Sequence, residues 1–179
     1  AIQFSEADAR PMGRATYGVG GMRLREGDRI KEMVIADPRA TLLTACENGY
    51  GKRTPFDEYR DQSRNGIGVI NIATSERNGK VVGLKAVRES DDVMLITQGG
   101  MVIRTTVKSI REQGRNTQGV KLITLDAGDK LVALARVAQE ENGDSEDAGA
   151  APEPEPEPPG SPDEPEAPSE TPPPEPSGQ

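Results

Sequence analysis

The sequence predicts an all-β chain: a propeller-like array of about three four-stranded blades, followed by a disordered acidic tail. Three observations predict it. A set of markers recurs with a period near 50 residues. Short runs rich in Val, Ile, Leu and Thr are bounded by Gly and Asn. The composition also breaks abruptly near residue 137.

The period comes first. Arg10, Arg14, Gly18 and Val19 form an Arg-x-x-x-Arg-x-x-x-Gly-Val pattern, which returns as Arg60, Arg64, Gly68 and Val69 and as Arg111, Arg115, Gly119 and Val120. Corresponding arginines are 50 and then 51 residues apart. Asn48-Gly49-Tyr50-Gly51-Lys52-Arg53-Thr54 matches Gly99-Gly100-Met101-Val102-Ile103-Arg104-Thr105 at an offset of 51. Gly27-Asp28-Arg29-Ile30 recurs as Gly128-Asp129-Lys130-Leu131, with Asn78-Gly79-Lys80-Val81 between them. Blades are expected over roughly 1–50 (incomplete), 51–101 and 102–137.

Within each unit the strands expected are Val69–Ile72, Val81–Val87, Val93–Thr97, Val102–Val107, Val120–Leu125 and Leu131–Val137. Asn48-Gly49 and Gly99-Gly100 suit tight hairpins, with φ > 0 expected at both central positions. No long 3.6-residue apolar period occurs; a short turn fits near Asp57–Gln62 and Ser109–Gln113. Ala1–Phe4 corresponds to Gly51–Thr54 with no strand before it, so the chain reads as the C-terminal piece of a longer one.

The composition separates two segments. The whole chain has a net charge of -8, but residues 1–137 hold all 22 basic residues against 17 acidic ones. Residues 138–179 hold 13 carboxylates, no cation and 12 of the 15 prolines. Such a tail buries too little apolar surface to offset the entropy of ordering. It is expected to be an extended coil, either a tethered competitor for the cations of 1–137 or a solubility tail.

The inventory excludes much chemistry. There is no His and only one Cys, Cys46, which removes Ser-His-Asp and Cys-His catalysis, His-ligated metals and internal disulfides. Gly49-Tyr50-Gly51-Lys52 has the wrong spacing for a phosphate loop, and Gly18-Val19-Gly20 lacks the third glycine of a dinucleotide fingerprint. Asp91-Asp92 reads as an acidic turn, and Cys46 as a small buried thiol on a strand. No nucleophile–base pair stands out, no apolar run spans a bilayer, and no charged-then-apolar leader opens the chain. A cytoplasmic chain is expected.

The arginines carry the chemistry. One per blade at matching points makes a belt of positive charge at regular spacing, a fit to the phosphates of duplex DNA. The expected contacts are Arg10, Arg14, Lys52, Arg53, Arg60, Arg64, Arg104, Lys108, Arg111, Arg115 and Lys121. Without a recognition helix or aromatic base platform, binding is expected to tolerate any sequence. The competing reading has a repeated Arg bracing one blade against the next through Asp57, Glu58 or Glu112. Arg39, Arg77 and Arg88, outside the repeat, read as solvated surface.

Several segments together resemble a known family. They are Asp8-Ala9-Arg10-Pro11-Met12-Gly13-Arg14, Glu47-Asn48-Gly49-Tyr50-Gly51-Lys52-Arg53-Thr54, Glu58-Tyr59-Arg60, Gln62-Ser63-Arg64-Asn65-Gly66-Ile67-Gly68 and Gly114-Arg115-Asn116-Thr117-Gln118-Gly119-Val120. Residues 1–137 resemble the last part of the C-terminal domain of bacterial DNA gyrase A subunits. The resemblance implies a β-pinwheel of about six blades, of which this chain would hold the last three. It also implies a domain that wraps duplex DNA so that ATP-driven strand passage introduces negative supercoils.

The family's signature box, Gln-Arg-Arg-Gly-Gly-Lys-Gly, belongs to the first blade. Residues 62–68 keep only Gln62, Arg64, Gly66 and Gly68 of it, a degenerate copy. The resemblance places the catalytic tyrosine upstream. It places ATP and Mg2+ on the B subunits of an A2B2 heterotetramer, in which this chain's parent would meet a second A subunit. The fragment itself would use no cofactor and would lie in the bacterial cytoplasm with the nucleoid. The alternatives are the topoisomerase IV A subunit and a propeller-like scaffold for protein partners.

Overall fold

The computed structural model describes residues 1–138; the tail expected from 138 onward lies outside them apart from Ala138. Strand β1 (Thr41–Cys46) is an apolar and β-branched run, buried from Leu42 to Cys46. That continuous burial suits a strand paired on both sides. Its neighbours are β2 (Tyr50–Pro55) and β3 (Val81–Val87), both antiparallel. A two-residue strand, β6 (Val120–Lys121), adds to the far side of β2, giving the order β3-β1-β2-β6. A second antiparallel sheet holds β4 (Asp92–Thr97), β5 (Val102–Thr106) and β7 (Leu131–Val137) in the order β5-β4-β7. Leu43, Ala45 and Val87 of one sheet and Val93, Leu95, Leu131 and Leu134 of the other form one apolar cluster with Val107, Ile110 and Ile123.

The sheets are built alike, residue for residue. In each, a central strand is flanked by a hairpin partner and a later strand, and a register shift falls at Ala45/Cys46 and at Ile96/Thr97. The hairpins differ from expectation: only the second residue of each pair has positive φ, Gly49 at 80° and Gly100 at 88°. The amide of Gly49 donates to the Cys46 carbonyl (3.1 Å) and that of Gly100 to the Thr97 carbonyl (3.1 Å). This is a longer loop closed by a left-handed residue; the register shifts lie on the other side of the central strand, against β3 and β7. Single 3-10 turns occupy Glu6–Asp8, Phe56–Glu58 and Val107–Ser109, at the same repeat position.

Two expected strands change. Val69–Ile72 is not a strand, and Val120–Leu125 is cut to Val120–Lys121. The amides of Leu122 (2.8 Å) and Ile123 (3.2 Å) both turn to the Gly49 carbonyl, which ends the ladder. The division expected at 50/51 falls inside β2, and that at 101/102 falls at the start of β5, each within one sheet. Among the described residues one sheet has four strands and the other three. In the first repeat, residues 30–36, the counterpart of β3, are unpaired. Ile30, Met33 and Ile35 lie exposed there.

Each junction between repeats is made by a borrowed segment. Gly51 and Tyr50 pair with Val120 and Lys121 of the next repeat. One repeat earlier, the Val69 amide donates to the Ala1 carbonyl at 2.7 Å. Parallel bridges follow at Arg53–Glu112 and at Gln3–Asp61. The Gln113 amide donates to the Arg53 carbonyl (2.8 Å) as the Gln62 amide does to that of Gln3 (2.9 Å). The motif glycines make this approach possible. Gly68 (φ 83°) and Gly119 (φ 79°) are left-handed, and a Cβ there would lie 2.2 Å from the Ala1 carbonyl oxygen or 2.5 Å from that of Gly51.

Candidate nucleic-acid interface

The repeated cations divide by what lies next to them. Arg60 and Arg111 directly follow Tyr59 and Ile110, each only 4% exposed. Those anchors point inward on extended backbone, so the next side chain points outward. Arg10, Arg60 and Arg111 are all exposed, and none enters an ion pair among the described residues. The same holds for Arg14, Lys108 on the third 3-10 turn, and Lys121 on β6.

The second arginine of the motif behaves otherwise. Arg64 donates from Nε to the Asp8 carbonyl (3.1 Å) and from Nη1 to the Gly20 carbonyl (2.9 Å). Arg115 donates from Nη1 to the Ile70 carbonyl (3.1 Å). Gly20 and Ile70 are themselves repeat equivalents, so this arginine clamps each repeat to the one before it. At this position the bracing runs through backbone carbonyls; through a carboxylate, as the competing reading expected, it occurs at Arg53 and Glu112. A guanidinium has five N–H donors, and both side chains remain half-buried at the surface.

Lys52 and Arg53, expected among the phosphate contacts, are buried instead. Lys52 is 0% exposed, and its ammonium donates to the carbonyls of Gly114 and Arg115. Burial pulls its pKa down to about 8. Arg53 is 6% exposed, donates from Nε to the Ile110 carbonyl at 2.6 Å and pairs with Glu112 at 3.2 Å. The neighbouring Thr54 hydroxyl donates to the Gln113 carbonyl at 2.9 Å. Three consecutive side chains of β2 thus satisfy the carbonyls of the segment that covers it, which explains their cation content without any ligand. Arg104, the counterpart of Arg53, has its side chain 58% exposed and pairs at 2.6 Å with Asp92 on the adjacent strand.

The remaining expectations resolve locally. Asp91 binds Arg136 at 2.7 Å and caps the Arg88 amide at 2.6 Å, so the acidic pair is a turn that holds cations of its own chain. Cys46 is fully buried, and burial pushes its thiol up to about 11. Among the described residues no group of three His, Cys, Asp or Glu side chains is placed to hold a metal ion.

A family model described as the DNA gyrase C-terminal domain, a β-propeller, matches residues 1–37, 40–88 and 91–138, one segment per repeat. The chain belongs to that family. It is 45% identical over 153 residues to the DNA gyrase A subunit of Escherichia coli, covering 84% of this chain and 18% of that protein. Against the Pseudomonas aeruginosa gyrase A protein the identity is 44% over 146 residues, 82% of this chain and 16% of that one. The chain therefore spans less than a fifth of the length of these relatives. A solved gyrase A C-terminal domain superposes with a TM-score of 0.71 at 31% identity, covering 76% of this chain and 47% of that one. A topoisomerase IV C-terminal domain shares the fold, with a TM-score of 0.70 at 23% identity over 76% of this chain and 43% of that one.

The three arginines outside the motif, read as solvated surface, all find partners within this gyrase-type domain. Arg39 and Arg88 both pair with Asp37. Arg77 has no carboxylate partner among the described residues; its guanidinium carbon lies 4.4 Å from the centre of the Tyr50 ring. Its only sequence signal is its place just before the recurring Asn78-Gly79 marker, and spacing alone does not pair it with Tyr50.

Proposed function

We propose that residues 1–137 bind duplex DNA through its phosphates, without reading sequence, as a wrapping surface of a gyrase A protein. One observation carries this reading: Arg10, Arg60 and Arg111 recur once per repeat, exposed and without an acidic partner among the described residues. A regular row of unneutralised guanidinium groups matches a regular row of phosphates and releases counterions on contact. Arg14, Lys108 and Lys121 extend the row, and the free N–H groups of Arg64 and Arg115 flank it. Lys52 and Arg53 hold the repeats together beneath it.

On this reading the chain positions DNA while other parts of the enzyme cleave, pass and reseal strands. ATP and Mg2+ are used through the gyrase B protein, within an assembly of two A and two B subunits in the bacterial cytoplasm. The relatives named gyrase favour this over topoisomerase IV, whose likeness here is one of fold.

Titration of random-sequence duplex DNA across a range of salt tests the proposal. Binding should weaken linearly in log–log form, with a slope of about -0.9 per phosphate contacted. Replacing Arg10, Arg60 and Arg111 together with Gln should flatten that slope by about 2 to 3. Absent or salt-insensitive binding would overturn the reading and favour a protein-binding scaffold.

A further inference from the structure

The junction between the second and third repeats carries a feature that the repeat does not copy. Tyr50, the first residue of β2, faces Lys121 of β6 across the strand pair. Over its ring lie two cations: the Arg77 guanidinium carbon at 4.4 Å from the centroid and the Lys121 ammonium at 5.9 Å. Both side chains are exposed, and neither meets a carboxylate among the described residues. The counterpart of Tyr50 one repeat later is Met101, so the aromatic platform exists once in the chain.

The segment that carries Arg77 is held by hydrogen bonds on both sides. The Asn48 side-chain amide donates to the carbonyls of Glu76 (2.9 Å) and Arg77 (3.3 Å). Asn78, fully buried, accepts from the Ser75 amide (2.7 Å) and hydroxyl (2.8 Å) and donates to the Ala73 carbonyl (2.9 Å). Arg77 Nη1 donates to the Gln118 side chain at 3.2 Å, one residue before the motif glycine Gly119. The backbone of Arg77 is therefore fixed, and its head spans the repeat junction. Stacking on an aromatic face suits a guanidinium and leaves its edge N–H groups free.

Two like charges gathered on one neutral ring repel each other unless an anion joins them. We infer that Tyr50, Arg77 and Lys121 form a preorganised phosphate clamp for the DNA backbone, with Arg77 an additional contact and Tyr50 a positioning residue. The inference rests on the DNA-binding reading above. The ring is already covered by cations, so it positions charge and does not stack on a base. Prior immobilisation of the Arg77 side chain, by Gln118 and the ring, removes part of the ordering cost of binding.

The test uses the 179-residue chain, a random-sequence duplex and anisotropy titrations at several salt concentrations. Arg77→Gln should weaken binding several-fold at low salt and reduce the salt slope by about 0.9. Tyr50→Leu should weaken binding with the slope nearly unchanged, because both charges remain but lose their alignment; Tyr50→Phe should bind like the unaltered chain. Arg39→Gln, which removes a cation paired with Asp37, serves as the control. If the unaltered chain binds but Arg77→Gln matches Arg39→Gln in slope, the clamp is refuted while the DNA-binding reading stands. The clamp is equally refuted if Arg77→Gln lowers the melting temperature without moving the slope, since Arg77 is then a brace. If the unaltered chain fails to bind, both fall together.

Discussion

The hairpin strands β2 and β5 occupy the same place in two equivalent sheets, yet one is covered and the other open. Along β2, Gly51 to Thr54 are all buried beneath residues 110–123 of the next repeat. Along β5, exposure alternates, and Val102 is 51% exposed. The sequences differ in step: Lys52-Arg53 under cover, Ile103-Arg104 in the open. A buried lysine and arginine are thus the sign of a made junction, because they supply the donors that the covering carbonyls need. Charge count alone mistakes these braces for a ligand surface.

The largest test of that contrast is at the motif glycines. Gly119→Ala forces a Cβ against the Gly51 backbone in a left-handed conformation and should cost about 3 kcal/mol. Gly18 has the same handedness, φ 75°, with nothing within 4 Å, so Gly18→Ala should cost only about 1 kcal/mol. Denaturant melts of both variants check this, and equal losses would remove the distinction between closed and open junctions. Next come the arginines. Arg53→Met strands a buried carbonyl and unpairs Glu112, and should cost about 2 kcal/mol. Arg104→Met loses a pair whose arginine is more than half exposed, and should stay below about 1 kcal/mol.

The smallest effect is one of pH. The folded state binds a proton at Lys52 less readily than the unfolded chain, about 8 against 10.5. Stability should therefore rise as pH climbs from about 8 towards 10.5. Cys46 acts in the opposite sense, about 11 in the fold against 9.0 unfolded, and removes stability from about pH 9 upward. The rise should thus be clear only between about pH 8 and 9, and Lys52→Met should abolish it. A rise that survives Lys52→Met would show that the amine is not the titrating group.

Much of the fold was legible because the repeat writes backbone geometry directly into sequence. Among the described residues every left-handed glycine belongs to a recurring marker: Gly18, Gly68 and Gly119; Gly27, Gly79 and Gly128; Gly49 and Gly100. Strands β3 and β7 begin and end where their apolar runs do. What stayed hidden was pairing between repeats, since a two-residue strand such as β6 carries too little pattern to announce its partner. For the same reason Lys52 reads as a free cation until the carbonyls of Gly114 and Arg115 are seen beside it. Arg60 and Arg111 lie exposed, while Arg77 meets the Tyr50 ring only on folding.

Borrowed strands also set a timetable for synthesis. The sheet begun at Thr41 has three of its strands once Val87 has emerged, but its last strand ends at Lys121. At ordinary elongation rates β2 would wait roughly 2–7 seconds with its outer edge bare. A bare edge is a template for pairing with a neighbouring nascent chain, and charge in mid-strand is the usual guard against that. Lys52 and Arg53 stand at that spot. The two cations that finish as internal braces begin as gatekeepers of an unfinished sheet.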